Sequence, residues 1–249
     1  ANLAGYWKLG SDDNQALSAS LRYFSLGEVN TTDPMGNPLQ SLNPYELSFD
    51  IGYSRKLSEK FSMGVVFRYI YSDLGFSTYD AGDQTSGASA FSADIAGYYT
   101  TYPIIGRNEC QWSWGWNISN IGSKVSYNNG NDPAFLPTNL RLGTAFTFPL
   151  ADYNNLTLSL DLNKLLVPAR PRESDYVDYS ETDNSIRIEQ EREYLDAVEN
   201  WENMSSITGI FKSFSDAPGG FKEELQEITW SLGAEYSYNQ QFFVRAGYY

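Results

Sequence analysis

Three absences limit what this chain can be. It contains no histidine, only one cysteine and no long run of apolar residues. Without histidine, its own residues cannot form a Ser-His-Asp triad, a Cys-His pair or a histidine-ligated metal site. The single cysteine, Cys110, has no partner for an intrachain disulfide. A transmembrane helix needs about 18 consecutive apolar residues, and no segment of this sequence supplies them.

Positive charge is also scarce. The chain has 17 Lys and Arg residues against 31 Asp and Glu residues, which gives a formal net charge of −14. A phosphate backbone is bound by clustered Lys and Arg, so we expect no nucleic-acid partner. The acidic pairs Asp12–Asp13 and Glu223–Glu224 lie in predicted connections, where solvated charge is a simpler explanation than acid–base catalysis. We therefore predict a protein that is not an enzyme and has no cofactor and no catalytic metal.

Aromatic residues and alternating patterns are abundant. Aromatics make up 16% of the chain, including 19 Tyr and 6 Trp. In one segment Leu47, Phe49 and Ile51 alternate with Ser48 and Asp50, a pattern typical of a strand with one apolar face. The same pattern predicts ten strands, at residues 1–8, 15–24, 45–53, 61–69, 88–99, 111–118, 140–148, 156–163, 228–236 and 241–249.

Alternation alone also fits a soluble β-sandwich, in which the apolar face packs on a second sheet. Two features favour a transmembrane β-barrel. The connections alternate between short and long, as in outer-membrane barrels with tight turns on one rim and long loops on the other. The polar faces also carry charges in mid-strand, which a polar lumen accommodates and which can pair across neighbouring strands: Arg22, Asp50, Arg68, Asp94, Arg141, Asp161, Glu235 and Arg245.

We therefore predict an all-β fold, an antiparallel transmembrane outer-membrane β-barrel with long extracellular loops. The prolines agree with the strand boundaries, because proline cannot donate to a strand ladder. All ten fall in predicted connections or at strand starts, and Pro149 is assigned to the connection after the seventh strand. We predict a single barrel domain over residues 1–249, with residues 163–227 as a long extracellular excursion between two strands.

The excursion is too long to be a plain loop and must carry structure of its own. It contains 15 acidic and 7 basic residues, which together contribute −8 to the net charge of −14. Residues 185–204 are predicted to be helical, because Tyr194, Val198 and Trp201 stand at helical spacing among acidic residues. An apolar stretch at 204–214 and a turn-rich link at 216–221 follow.

Two interpretations of the excursion stay open. It can be a lid that folds over the barrel mouth and buries its own aromatic side chains. Alternatively, its Ile and Phe side chains are exposed and form a docking surface, since exposed apolar patches generally mark partner sites. The acidic residues could also hold divalent cations near lipopolysaccharide, although their spacing matches no EF-hand loop.

Several blocks of sequence carry a resemblance to a known family. They are 21–28 (LRYFSLGE), 61–63 (FSM), 68–70 (RYI), 136–143 (LPTNLRLG), 204–207 (MSSI), 209–214 (GIFKSF), 216–225 (DAPGGFKEEL) and 242–249 (FFVRAGYY). With these blocks the chain resembles the PorV family, FadL-like outer-membrane barrels of the type IX secretion system of Bacteroidetes. The resemblance extends over essentially the whole chain and is weakest at 170–200.

The resemblance implies a barrel of about 14 strands, with further strands before Ala1 and after Tyr249. It implies a non-enzymatic shuttle that binds secreted cargo carrying a C-terminal sorting domain as the cargo leaves a large outer-membrane translocon barrel. It also implies delivery of that cargo to a cell-surface attachment complex with a sortase-like protease. In the outer membrane, lipid and lipopolysaccharide are further expected partners.

Motif and position together predict the residues that bind partners. They are Met204, Ile207, Ile210, Phe211, Phe214, Asp216, Pro218, Gly219, Gly220 and Phe221. The alternative function is FadL-like transport of hydrophobic small molecules, which requires a continuous apolar path through the lumen. A third possibility is a passive structural barrel, for which residues 204–221 would be dispensable for secretion.

Overall fold

The computed structural model describes residues 1–11, 13–33, 35–74, 87–127, 133–180, 183–217 and 220–249. The strands within these ranges are β1 (Asn2–Leu9), β2 (Gln15–Ser25), β3 (Val29–Thr32), β4 (Pro38–Leu42), β5 (Tyr45–Lys56), β6 (Phe61–Asp73), β7 (Ala88–Thr101), β8 (Ile104–Ile105), β9 (Asn108–Glu109), β10 (Gln111–Gly122), β11 (Asn139–Ala151), β12 (Asn154–Leu165), β13 (Thr229–Tyr238) and β14 (Phe242–Tyr248). The α-helices are α1 (Asn184–Asn203), α2 (Ser206–Lys212) and α3 (Phe221–Gln226). None of these helices combines the length and the apolar composition needed to cross a bilayer.

Ten of the strands form one antiparallel sheet in the order β1-β2-β5-β6-β7-β10-β11-β12-β13-β14. The ten predicted strands are these ten, and the prediction of an antiparallel all-β fold is confirmed. Two small hairpins, β3–β4 and β8–β9, lie within connections and were not predicted. In the part of the chain that the structure describes, β1 and β14 do not pair with each other, so the sheet is not closed.

One prediction about the strand ends is wrong. Pro149 lies within β11, which continues to Ala151, and not in the following connection. The pairing of β11 with β12 shifts register between Pro149 and Ala151. A residue without an N–H interrupts the ladder, so proline is tolerated at such an irregularity near a strand end.

The sheet exposes its apolar side chains and, at the middle of β5, buries the polar side chain between them, which is the reverse of a soluble sheet. In β5, Phe49 and Ile51 are 42% and 45% exposed, whereas Asp50 between them is 8% exposed. Leu158 and Leu160 of β12 are exposed in the same way. A contiguous surface of such side chains is stable against lipid but not against water. We call the exposed apolar face the outer face and the polar face the inner face.

Two groups of charged side chains on the inner face pair across strands, as the sequence predicts: Arg68 with Asp50 and Asp94, and Arg245 with Glu235. Arg68 Nε donates to Asp50 Oδ1 on β5 at 2.8 Å, and Arg68 Nη2 donates to Asp94 Oδ2 on β7 at 3.0 Å. Arg68 Nη1 also donates to Asn120 Oδ1 at 2.6 Å. Asn120 has a left-handed backbone, with φ 59°, and lies where β10 shifts register against β7. The Arg68 network therefore joins four strands and holds a bulge in place.

Long and short connections segregate to opposite rims of the sheet. Short connections join β1 to β2, β5 to β6, β7 to β10, β11 to β12 and β13 to β14 at one rim. Longer connections join β2 to β5, β6 to β7, β10 to β11 and β12 to β13 at the opposite rim, which we call the long-loop rim. The predicted alternation is confirmed. The excursion between β12 and β13 thus shares its rim with the other long loops.

Candidate partner-binding surface

The excursion connects β12 to β13 and carries the three α-helices that the structure describes. A 3-10 turn at Glu173–Asp175 comes first, and α1, α2 and α3 follow. Asp183 caps α1 by accepting from the Ser185 N–H at 2.8 Å, and Ser205 caps α2 in a similar way. These side chains satisfy N–H groups that have no partner within the helix. The prediction of a helix at 185–204 is confirmed by α1.

The end of α1 is fixed to the rim through Trp201. Its Nε1 donates to the Pro168 carbonyl at 3.1 Å, and its ring meets Phe135 edge-on with centroids 5.1 Å apart. Lys124 Nζ donates to the carbonyls of Trp201 at 3.1 Å and Glu202 at 2.7 Å. A cation is favoured there by the helix dipole, and it also lies 4.1 Å from the Phe135 ring centroid. Burial lowers the pKa of Lys124, and the Glu202 carboxylate opposes this effect.

A buried ion pair fixes α3 to the end of β12. Lys164 Nζ donates to Glu224 Oε2 at 2.9 Å and to Glu227 Oε2 at 2.7 Å. The Lys164 and Glu224 side chains are 7% and 9% exposed, while Glu227 is 44% exposed. Glu224 Oε1 also accepts from the Ala217 N–H at 2.9 Å. The hydrogen bond from Lys164 lowers the pKa of Glu224 below its ordinary value of 4.5, and burial opposes this effect.

We expect the attachment of α3 to depend on pH only under acidic conditions. The folded-state pKa of Glu224 lies below the ordinary value of 4.5. Its ion pair therefore stabilises the folded state fully above about pH 4.5 and is lost as pH falls through the lowered pKa. Hydrogen-exchange protection of the 221–226 amides, corrected for intrinsic exchange, should be constant from about pH 7 to about pH 5 and should fall at lower pH.

The control for this pH dependence is Glu224→Gln, which has no carboxyl group to titrate at this position. Its protection at 221–226 should be lower than that of the wild type at neutral pH and should lack the acidic fall. An equally steep fall in the variant would show that another group controls the attachment of α3.

α2 packs Gly209 against the rim and leaves two large apolar side chains exposed on its other side. Gly209 and Ser213 are buried. A Cβ on Gly209 would lie 2.9 Å from Phe135 Cε1, so the helix approaches the rim too closely for a larger residue. Ile207 and Phe211, one turn apart on the opposite side, are 63% and 74% exposed. Two large apolar side chains at this spacing match a helix face that a partner covers. We call Ile207 and Phe211 the α2 patch.

The structure divides the ten predicted partner-binding residues. The exposed ones are Ile207, Phe211, Phe214, Gly220 and Phe221, and the half-buried ones are Met204, Ile210 and Asp216. Pro218 and Gly219 lie outside the described residues. Asp216 forms a hydrogen bond within the excursion, because its Oδ2 accepts from the Ala169 N–H at 2.6 Å.

The exposure of the aromatic residues bears on the two interpretations of the excursion. A lid that buries its own aromatics would cover Phe211, Phe214 and Phe221, but these are 74%, 48% and 79% exposed. None of the residues of α1 is buried either. The exposure of these three side chains is what a docking surface requires. Within the described residues, no group of three or more acidic or cysteine side chains is placed to hold a metal ion.

The residues that anchor the excursion, Lys164 and Lys124, are not among the predicted site residues. The sequence does contain one indication that Lys164 needs a partner. Lys164 follows Leu162 on the outer face of β12. A charge at an otherwise apolar, lipid-facing position needs a partner, and here the partners come from α3. Lys124 gives no comparable signal, since its contact with Trp201 joins residues 77 positions apart.

The observations together define a class of protein. An up-and-down antiparallel sheet with apolar side chains outside, ion pairs inside and long loops at one rim is the wall of an outer-membrane-type barrel. The family model for Type IX secretion system protein PorV matches residues 1–172. The chain therefore belongs to the PorV family, outer-membrane components of the type IX secretion system. None of the curated proteins compared with the chain matches it.

The matched residues include strands β1 to β12 and end before α1. The family match therefore supports the barrel wall and a place in the type IX secretion system. It does not extend to the α2 patch, whose role rests on its geometry.

Proposed function

We propose that this protein binds other components of the type IX secretion system through the α2 patch. In this proposal the long-loop rim faces the cell exterior. The patch contacts the large translocon barrel and secreted cargo that carries a C-terminal sorting domain. The protein then passes the cargo to the attachment complex with its sortase-like protease.

The observation that carries the proposal is the exposure of two large apolar side chains on one side of α2. Ile207 and Phe211 face outward while Gly209 faces the rim. Exposed apolar surface costs about 25 cal/mol per Å² in water, and a partner that covers the patch removes that cost. The contacts of Trp201 and Lys164 hold the neighbouring helices in place. Binding therefore loses less conformational entropy than it would with a free loop.

The alternative of FadL-like transport is less well supported. A hydrophobic substrate needs a continuous apolar path, whereas the inner face carries the Arg68 network with Asp50 and Asp94. A passive barrel also has weaker support, because it gives no reason for two large apolar side chains to be held in solvent at the rim.

The proposal is tested by the double variant Ile207→Asp and Phe211→Asp in the full-length protein, which leaves the buried side of α2 unchanged. Affinity purification from native outer membrane in mild detergent should recover at least about tenfold less translocon barrel and cargo than the wild type, as expected for a loss of about 1.4 kcal/mol or more. Secretion of a reporter with a C-terminal sorting domain should fall in parallel.

The matched control is Leu195→Asp on α1, where the wild-type side chain is 62% exposed, close to the 63% of Ile207. This variant should co-purify and secrete like the wild type. Normal co-purification and secretion by the double variant would refute the role of the α2 patch. Uptake of labelled fatty acid by vesicles holding the full-length protein would then favour the transporter.

A further inference from the structure

A second apolar feature lies on the outside of the wall, below α3. It is a cleft of about 270 Å³ between β11, β12 and the excursion. Its apolar lining includes Leu140, Leu142, Leu162, Phe214, Phe221 and Leu225. Lys164 and Glu224 also line it. The cleft is thus an apolar cavity of the size that holds part of a small ligand, with one charged pair among its lining residues.

The strand register places this cleft on the outer face. Leu142 pairs with Leu162 across β11 and β12, and Leu140 pairs with Lys164 one step further toward the rim. Side chains alternate between the faces of a strand, so Leu162 shares its face with Leu158 and Leu160. The cleft is therefore continuous with the surface that faces lipid in an outer-membrane barrel. It is separate from the inner face and its Arg68 network.

The charges at the cleft favour an uncharged occupant. The ammonium of Lys164 is already paired with Glu224 at 2.9 Å and with Glu227 at 2.7 Å. No free positive charge of Lys164 remains to attract a phosphate or a carboxylate. Apart from Asn163, the other lining residues are apolar and offer dispersion contacts, and Phe221 and Leu225 stay 79% and 52% exposed beside them. An aliphatic chain fits this lining better than a polar headgroup does.

We propose that the cleft holds an acyl chain of a membrane lipid from the adjacent leaflet. Phe214, Phe221 and Leu225 cover the chain from the excursion side, and the leucines of β11 and β12 support it from the wall. The bound lipid fills the space under α3 and thereby supports its attachment. This inference goes beyond the proposed function and assigns Phe214 and Phe221 to lipid, while the α2 patch contacts proteins.

The test counts lipids that stay bound to the full-length protein. Protein purified from outer membrane is delipidated in detergent, incubated with dioleoylphosphatidylethanolamine and examined by native mass spectrometry. The wild type should retain one tightly held lipid per molecule. Leu162→Trp, which fills the cleft with a larger apolar side chain, should lower the fraction that carries it at least tenfold.

The matched control is Leu158→Trp, on the same strand and the same face but outside the cleft lining. This variant should keep the retained lipid. The inference is overturned if Leu162→Trp retains the lipid as well as the wild type does. It is also overturned if Leu158→Trp loses the lipid equally, because retention would then reflect the wall in general.

A photoreactive benzoylphenylalanine in place of Phe221 or Phe211 separates this inference from the proposed function. After illumination of intact cells, position 221 should give an adduct with the mass of a lipid, and position 211 an adduct with a polypeptide. A polypeptide or no adduct at 221 would contradict the acyl-chain site, whatever the outcome at 211. A lipid adduct at both positions would support the lipid site and contradict the α2 patch as a protein contact.

Discussion

Replacing Arg68 with methionine is expected to lower the free energy of unfolding by about 3–5 kcal/mol, the range for removing one partner of a buried ion pair. The side chains of Arg68, Asp50 and Asp94 are 18%, 12% and 15% exposed, so water replaces the guanidinium poorly. Asp50 keeps a hydrogen bond from Ser20 Oγ at 3.0 Å, and Asp94 keeps the Asn120 N–H at 2.7 Å. One further bond to each carboxylate does not balance its charge.

Equilibrium unfolding of the full-length protein in detergent by guanidinium measures this loss. The matched control is Arg245→Met, which removes an inner-face arginine that is paired with Glu235 but is 70% exposed. Its expected effect is below about 1 kcal/mol. Adding Asp50→Asn to Arg68→Met should recover part of the loss. Equal losses in Arg68→Met and Arg245→Met would show that burial of the Arg68 network is unimportant.

Replacing Lys164 with methionine is expected to release α3 from the wall. The substitution leaves the Glu224 carboxylate, 9% exposed, without its cation. Breaking a buried pair in this way costs about 3–5 kcal/mol, which is enough to make the released state of a short helix dominant. Hydrogen exchange at 221–226 should therefore become at least about a hundredfold faster, while the β11 and β12 amides keep their protection.

A double variant distinguishes a lost ion pair from a lost packing contact. Lys164→Met with Glu224→Leu removes both charges and should restore most of the protection at 221–226, since an apolar pair can replace a buried ion pair. The matched control, Lys222→Met, removes an exposed lysine of α3 itself and should exchange like the wild type. If the double variant exchanges as fast as Lys164→Met alone, the ion pair is not what holds α3.

The losses of stability expected for Arg68→Met and Lys164→Met can be predicted from the sequence to different extents. Arg68 and Asp50 stand out because each puts a full charge on the polar face at mid-strand, and direct cross-strand neighbours of opposite charge are expected to pair. The register of β5 and β6 makes them such neighbours. The contribution of Asn120 was not foreseeable, because it depends on a bulge in β10 that no local pattern indicates.

The excursion shows the same contrast within one segment. Helical spacing predicts α1, and an apolar run predicts that 204–214 has a special role, because both are local properties of the chain. The direction in which α2 turns its residues is not local. It depends on the fit of Gly209 against Phe135 and Pro168, residues from two other parts of the sequence.

The sequence by itself determined the barrel wall, its two faces and the rim on which the long connections gather. Side-chain alternation has a period of two and needs only neighbouring residues to be recognised. Only the tertiary structure decided which excursion residues face solvent and which hold the excursion in place. Those assignments rest on contacts such as Lys164–Glu224, 60 positions apart, and Lys124–Trp201, 77 positions apart. Such contacts form only when segments distant in the sequence come together at one rim. Local periodicity does not predict which segments these are.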